Sequence, residues 1–269
     1  MVALTDVLIY LLLGGAVGLF AGLFGIGGGG IMVPVFATLF ARQGVPTEHV
    51  MHMALASSMA AIIMTAFASL RAHHRHGAVQ WLIVRKMAAG IVLGTLGGAL
   101  IAGLLPALPL AIFFSIFMAY VAVQMWLNIK PKPSRQLPGF TGLTVAGGTI
   151  GVVSALVAIG GGSLSVPFLT WCNVRIQQAI ATSAALGLPI AVTGTVGYLL
   201  SGWGVADLPD YCVGYIYLPA FLSVSMVSMF TAPLGAKLAH SLPVATLKKW
   251  FAVFLLLLSL KMLHTILTG

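Results

Sequence analysis

The sequence predicts an all-α polytopic membrane protein of about ten segments, laid out as two inverted five-segment repeats with short or broken, glycine-interrupted helices. Three observations predict it. The composition is apolar and poor in charge, the basic residues fall in a few gaps between apolar stretches, and a set of small-residue motifs occurs twice in the same order.

Apolar residues make up 60% of the 269 positions and charged residues only 6%, and the mean hydropathy is +1.09. A soluble domain carries about 25% charged residues, so this chain could not cover a soluble surface and its solvent is a lipid bilayer. The net charge of +9 does not point to nucleic acid. Arg71, Arg75, Arg85 and Lys86, then Lys130, Lys132 and Arg135, then Lys248 and Lys249 cluster between apolar stretches, the pattern of cytoplasmic loops under the positive-inside bias. Cys172 and Cys212 read as free thiols, and no cysteine–histidine spacing suits zinc; no metal and no cofactor are expected. An apolar run from Val7 preceded by Asp6, with no basic stretch before it, reads as an uncleaved first helix.

Apolar segments fall at about 4–24, 31–42, 50–70, 84–104 and 109–128, then at about 140–158, 163–173, 177–200, 212–238 and 246–267. Between the two sets lies "NIKPKPSRQLPG". The predicted organisation is a membrane repeat at 1–127, a cytoplasmic linker at 128–139 and a second, inverted membrane repeat at 140–269.

The halves resemble each other. "IGGGGIMVP" at Ile26–Pro34 matches "IGGGSLSVP" at Ile159–Pro167, "ASS" at Ala56–Ser58 matches "ATS" at Ala181–Ser183, and "GALIAGLLP" at Gly98–Pro106 matches "GAKLAHSLP" at Gly235–Pro243. The gap at 71–86 is basic, whereas its counterpart Ser201–Asp210 carries two aspartates and no lysine or arginine. The turn at Leu105–Pro109 is uncharged, whereas its counterpart ends in Lys248 and Lys249. Equivalent loops thus fall on opposite sides, which predicts inversion, with both termini outside and the linker cytoplasmic. Inverted repeats are typical of secondary transporters, whose sites lie near the midplane where helices are interrupted.

The second segment of each half is short. At 1.5 Å per residue, 31–42 reaches about 18 Å against a hydrocarbon core of about 30 Å, so it reads as a half-helix. The glycines before it fit G-x-G-x-x-G, but the strand, soluble helix and later acid of a dinucleotide site are missing. "GGGSLS" lacks a histidine at matching depth for a serine nucleophile; the nearest candidate, His240, lies close to a helix end. No enzyme is predicted. What remains is an anion site. Glycine runs free backbone N–H groups, non-helical backbone at membrane depth is tolerated when buried or lining a cavity, and a short helix starting there turns its N–H groups and positive dipole end toward an anion. Pro34 and Pro167 suit the first turn of such helices. The candidate substrate-binding residues are Gly27, Gly28, Gly29, Gly30, Pro34, Ser57, Ser58, Gly160, Gly161, Gly162, Ser163, Pro167, Thr182 and Ser183. For the hydroxyls, the competing reading is a bond to their own helix carbonyl; for the glycines, it is close helix packing.

His73, His74 and His76 read as a solvated loop, and Lys237 and Lys261 as snorkelling side chains. The four acids, Asp6, Glu48, Asp207 and Asp210, fall at termini or loops, which leaves no buried carboxylate relay for a cation or drug exporter.

The duplicated glycine loop followed by proline, the "ATS"-type triplet and the G-A-x-x-A-x-x-L-P element resemble the TauE/SafE sulfite exporter family, also called the toluene sulfonate uptake permease family. The resemblance covers nearly the whole chain. It implies a carrier of the bacterial inner (plasma) membrane for a small anionic substrate, sulfite or an organosulfonate, with the site at Gly27–Gly30 with Pro34, Gly160–Ser163 with Pro167, and the pairs Ser57–Ser58 and Thr182–Ser183. Ser57 stands where the triplet has threonine. Export by alternating access is the expected function; an anion channel and a non-transporting component of a membrane complex are the alternatives, and a homodimer is an open assembly.

Overall fold

The computed structural model describes residues 4–24, 28–75, 77–127, 134–238 and 244–268. Among them are ten helices and one two-stranded antiparallel hairpin: α1 (Leu4–Phe24), α2 (Gly29–Arg42), α3 (Thr47–Arg75), α4 (Trp81–Leu104), α5 (Ala107–Trp126), α6 (Phe140–Val157), α7 (Gly162–Trp171), α8 (Ile176–Ser201), β1 (Cys212–Val213), β2 (Ile216–Tyr217), α9 (Leu218–Leu238) and α10 (Val244–Thr268). Eight helices are long and apolar enough to cross a membrane. The other two, α2 with 14 residues and α7 with 10, reach about 21 and 15 Å, too short for a core of about 30 Å.

Two sequence expectations are corrected. The segment expected at 212–238 begins with the hairpin, and its helix starts only at Leu218. Gly214 turns that hairpin at a φ of 55° with Leu199 backbone 2.5 Å from where a β-carbon would stand, so the chain cannot continue an incoming helix there. Pro34 and Pro167 lie in the second turn of their helices, not the first. There a missing N–H leaves the carbonyl four residues back without its helical partner, which frees the carbonyls of Gly30 and Ser163. In α2 the Thr38 hydroxyl donates to the Pro34 carbonyl at 2.8 Å, completing the turn that follows.

The helices α3 and α8 form the centre, packed against each other and 67% and 56% buried over their apolar windows, while the other spans range from 28% to 44%. Around them α1 runs along α9 and α4 along α6. Glycine makes both outer contacts close. On α4, a β-carbon at Gly90 would meet the Thr144 carbonyl and one at Gly94 the Gly148 carbonyl; Gly147 faces the Met87 carbonyl at 2.6 Å. On the other side Gly14 faces the Val224 carbonyl at 2.7 Å, and Gly235 lies on the Leu19 backbone. Without a water-driven hydrophobic force between helices in lipid, such backbone approach supplies the packing energy. Leu12, Leu93, Leu104, Ile116, Val145 and Phe230 point outward and are more than half exposed, as a lipid-facing surface requires.

The two ends of the bundle differ in charge. At one end, Gln43 after α2 donates to the Tyr10 hydroxyl at 2.9 Å, His52 of α3 reaches the end of α4, and Gly202 packs on the hairpin. Asp6, Glu48, Asp207, Asp210 and Arg42 lie there. At the other end, the Ser134 and Arg135 N–H groups donate to the Trp171 carbonyl at 3.2 Å, the Arg135 guanidinium lies 5.0 Å from the Trp171 ring, and the Lys249 ammonium lies 5.7 Å from the Trp126 ring. Arg71, Arg75, Arg85 and Lys86 share that end. Helix α3 runs on to Arg75, so His73 and His74 belong to its last turn, where the negative end of the helix dipole favours them.

Replacing Gly94 by Val drives a side chain into the Gly148 carbonyl and is expected to cost about 1–3 kcal/mol or more. Gly97→Ala, one turn along on the open face of α4 with nothing within 4 Å of the added carbon, is expected to leave stability unchanged or raise it. Thermal unfolding of the purified protein in detergent measures both; equal melting temperatures would contradict the packing described.

Candidate functional site

Each short helix begins at a glycine in the left-handed region, Gly28 at φ 77° before α2 and Gly161 at φ 79° before α7. The Gly28 carbonyl accepts from the N–H groups of Ile31 and Met32, both at 3.1 Å, and the Gly161 carbonyl from those of Leu164 and Ser165, at 3.1 and 2.7 Å. The same local geometry thus opens both helices and turns the N–H groups of their first two residues, Gly29 and Gly30 or Gly162 and Ser163, away from the helix ladder. Any side chain at Gly28 would meet Val17 at 2.5 Å, and one at Gly161 would meet Ile190 at 2.6 Å.

The two loops touch. After α6 the chain turns through Ala158 in the left-handed region (φ 46°), the Ile159 N–H returns to the Ser154 carbonyl at 3.1 Å, and the Ala158 carbonyl oxygen occupies the place a β-carbon on Gly29 would take. Ile62 of α3 flanks the same spot, 3.3 Å from it. The Gly160 carbonyl lies against Gly187 of α8 at 2.7 Å, with Ala66 of α3 behind it. Both loops therefore seat on the central pair α3 and α8. Of the predicted residues, Gly27 lies outside the described residues, as do His76, His240, Lys130 and Lys132.

The predicted hydroxyl pairs divide. Ser57 Oγ accepts the Tyr217 N–H at 3.0 Å, just ahead of α9. Thr182 Oγ1 accepts the Gln80 N–H at 3.0 Å, just ahead of α4. These two hold helix starts in place. Ser58 and Ser183, fully buried or nearly so, have no hydrogen-bond partner among the described residues, and neither do Ser163 and Ser165 in the first turns of α7. Buried hydroxyls normally have partners, and helical serines and threonines often bond back along their helix, as Thr193 does to the Pro189 carbonyl at 2.6 Å. Ser58 and Ser183 do not.

Beside Gly28 and Gly30 lies a cavity of about 10 Å³, lined by apolar side chains including Phe20, Met118, Phe251 and Leu255. It is at most the size for one water. A second cavity, of about 650 Å³, opens at the far end of α2 between Asp6, Arg42, Gln43, Asp210, Tyr211 and Tyr217. Tyr217 on its wall belongs to a ring cluster with Tyr10, Phe36 and Phe40, whose centroids lie 5.6 to 6.4 Å apart in successive contacts.

Sequence reasoning missed two features here. One is the tether role of Ser57 and Thr182, whose partners lie more than a hundred residues away. The other is His52, 4% exposed, which touches three carbonyls; the available signal was a histidine inside the apolar run "VMHMALASS". Lys237 and Lys261 are exposed, as snorkelling side chains are.

Removing the Ser57 hydroxyl in Ser57→Ala leaves the buried Tyr217 N–H unpaired, and Thr182→Ala does the same to Gln80; each is expected to cost about 1–3 kcal/mol, read as a lower melting temperature. Ser58→Ala and Ser183→Ala are expected to melt within a degree or two of wild type. A different outcome is checkable at Cys212, whose thiol burial pushes up to about 12. The thiolate is the nucleophile, so maleimide labelling is expected to be slow near neutral pH and to accelerate about tenfold per pH unit below that value. Rapid, pH-independent labelling would contradict it.

A family model described as "Sulfite exporter TauE/SafE" matches residues 10–262. A protein named "Probable membrane transporter protein" of Haemophilus influenzae is 40% identical over 260 residues, covering 96% of this chain and 98% of its own. Two further proteins named as probable membrane transporters, one from Methanocaldococcus jannaschii, 24% identical over 85% of this chain and 84% of that one, and one from Bacillus subtilis, 25% identical over 88% and 91%, also align. No solved structure matches. A family match across almost the entire bundle, both glycine loops included, makes the chain a member of the TauE/SafE family of membrane transporters and not an enzyme.

Proposed function

We propose that this transporter carries small sulfur-containing anions, sulfite or organosulfonates, outward across the bacterial inner membrane by alternating access of two inverted halves, 1–127 and 140–269, joined by a cytoplasmic linker at 128–139. The observation that carries the reading is the pair of left-handed glycines, Gly28 and Gly161, each opening a half-helix, together with buried serines that have no hydrogen-bond partner among the described residues, Ser58, Ser183 and, in α7, Ser163 and Ser165.

Matched contacts support the two halves. Tyr217 stands in the same relation to α9 as Gln80 does to α4, and each gives its N–H to the first hydroxyl of the "ASS" or "ATS" triplet in the opposite half. Gly98 packs on Val152, and Gly235 on Leu19; Leu19 and Val152 stand at the same sequence distance before Gly28 and Gly161. Contacts that swap halves in this manner are what a two-fold axis in the membrane plane produces. The segregation of acids to one end and most cations to the other supports a cytoplasmic linker and external termini.

A sulfite or sulfonate group offers three acceptor oxygens. Backbone N–H groups of Gly29, Gly30, Gly162 and Ser163, the dipoles of α2 and α7, and the hydroxyls of Ser58, Ser163 and Ser183 suit it without a buried lysine. The cavity beside Gly28 and Gly30 is too small for such an anion, so transport requires the halves to part there. The large cavity beyond α2, with Arg42 on its wall, suits the external mouth.

In proteoliposomes, Ser58→Ala and Ser183→Ala are each expected to lower sulfite or sulfonate transport about tenfold or more, the scale of one hydrogen bond to a charged group, with melting unchanged. Sulfite, sulfoacetate, taurine, sulfate and thiosulfate are then compared by the thermal stabilisation each gives by mass action. Full transport in both variants, or no stabilisation by any of these anions, contradicts the proposed site.

A further inference from the structure

His52 stands in the second turn of α3, near the mouth-side end of the bundle, and is buried. Its Nδ1 lies 2.9 Å from the Glu48 carbonyl oxygen. Its Nε2 lies 3.1 Å from the Ala102 carbonyl and 3.0 Å from the Leu105 carbonyl. The Tyr215 ring stacks on the imidazole at 5.0 Å and 25°. All three polar partners are carbonyl oxygens, which only accept. A neutral imidazole has one N–H and one lone pair, so either tautomer aims a lone pair at a carbonyl oxygen. The imidazolium, with two N–H groups, satisfies every contact.

The surroundings suit that cation. Ala102 and Leu105 end α4, where the helix dipole is negative, and the Tyr215 face attracts a cation. Taking the charge out of water is costly and opposes the cation; the three carbonyls offset part of that cost. The titratable neighbours are few. On α3, the exposed Glu48 carboxylate lies 3.5 Å from His49, whose ring is 6.0 Å from Tyr215. On the hairpin loop stands Tyr215, whose hydroxyl is pushed up by burial and by the Glu48 charge and stays a neutral phenol. The α4–α5 turn offers Leu105 and Pro106, neither of which ionises.

We infer that His52 is a proton-binding site of this transporter: doubly protonated here, it clasps the end of α4 and the α4–α5 turn to the start of α3, and loss of its proton unfastens that clasp. Helix α3 is 29 residues long, about 43 Å, so its second turn lies near the membrane interface, within reach of protons from water. The same α3 segment holds the hairpin through Tyr215 and Ser57, so the clasp bears on the start of α9 as well.

The test needs no substrate, so its outcome is independent of the anion reading. Full-length protein labelled with ¹⁵N-histidine in lipid nanodiscs is titrated by NMR. The His52 signal is assigned by its loss in His52→Gln. Should that variant not fold, it is assigned by elimination, from Gln variants of the other histidines, His49, His73, His74, His76, His240 and His264. The expected result is two protonated ring nitrogens at acidic pH, one lost as the pH rises, with hydrogen exchange of residues 102–107 accelerating through the same titration. A bare ring nitrogen at every pH overturns the inference, and so does a titration that leaves exchange of 102–107 unchanged.

Discussion

The structure depends on one constraint: inside a bilayer, every backbone N–H and C=O must find a partner within the protein. Eight helices are long and apolar enough to meet it by spanning whole. Two are too short for that, and each starts at a glycine whose left-handed backbone turns the first N–H groups out of the helix ladder. That exception is affordable only because the loops are buried on α3, α8 and each other, down to a carbonyl oxygen of one loop standing where the other lacks a side chain. Everything else in the bundle serves to bring α3 and α8 to the centre and hold them there.

The remaining glycines belong to that task. Along α4 and α6, and along α1 and α9, small residues let backbones meet, which is where packing energy comes from in lipid. Hydroxyls then fasten the ends: Ser57 and Thr182 each capture a backbone N–H just before a helix begins. The same residue types thus do two jobs. Paired hydroxyls are structural, and under the proposed reading the neighbouring unpartnered ones, Ser58 and Ser183, are left for an anion. The imidazolium proposed at His52 follows the same logic, since three inward carbonyls at the end of α4 and the start of α3 call for donors.

Much of this was legible in the sequence. Segment positions followed hydropathy, because a span must bury about 20 residues, and α1 and α6 begin where the apolar runs do. The short second segments were legible from the glycines before them. The hairpin at Cys212–Tyr217 was not, because its aromatic and β-branched residues are as apolar as a helix. The proline register was misjudged by a turn, since the helix start is fixed by Gly28 and Gly161, not by proline. At the site, residue type identified the glycines and the triplets, but which hydroxyl of each pair is free depends on contacts across the bundle that no local pattern encodes.

The central claim is that the N-termini of α2 and α7 together hold the transported anion. Crystals grown with selenite, a heavier analogue of sulfite, test it through anomalous scattering from selenium. The account predicts a peak within hydrogen-bond reach of the Gly29, Gly30, Gly162 and Ser163 N–H groups, flanked by Ser58 and Ser183. A peak found solely in the outer cavity at Arg42, in protein that still transports, would contradict it.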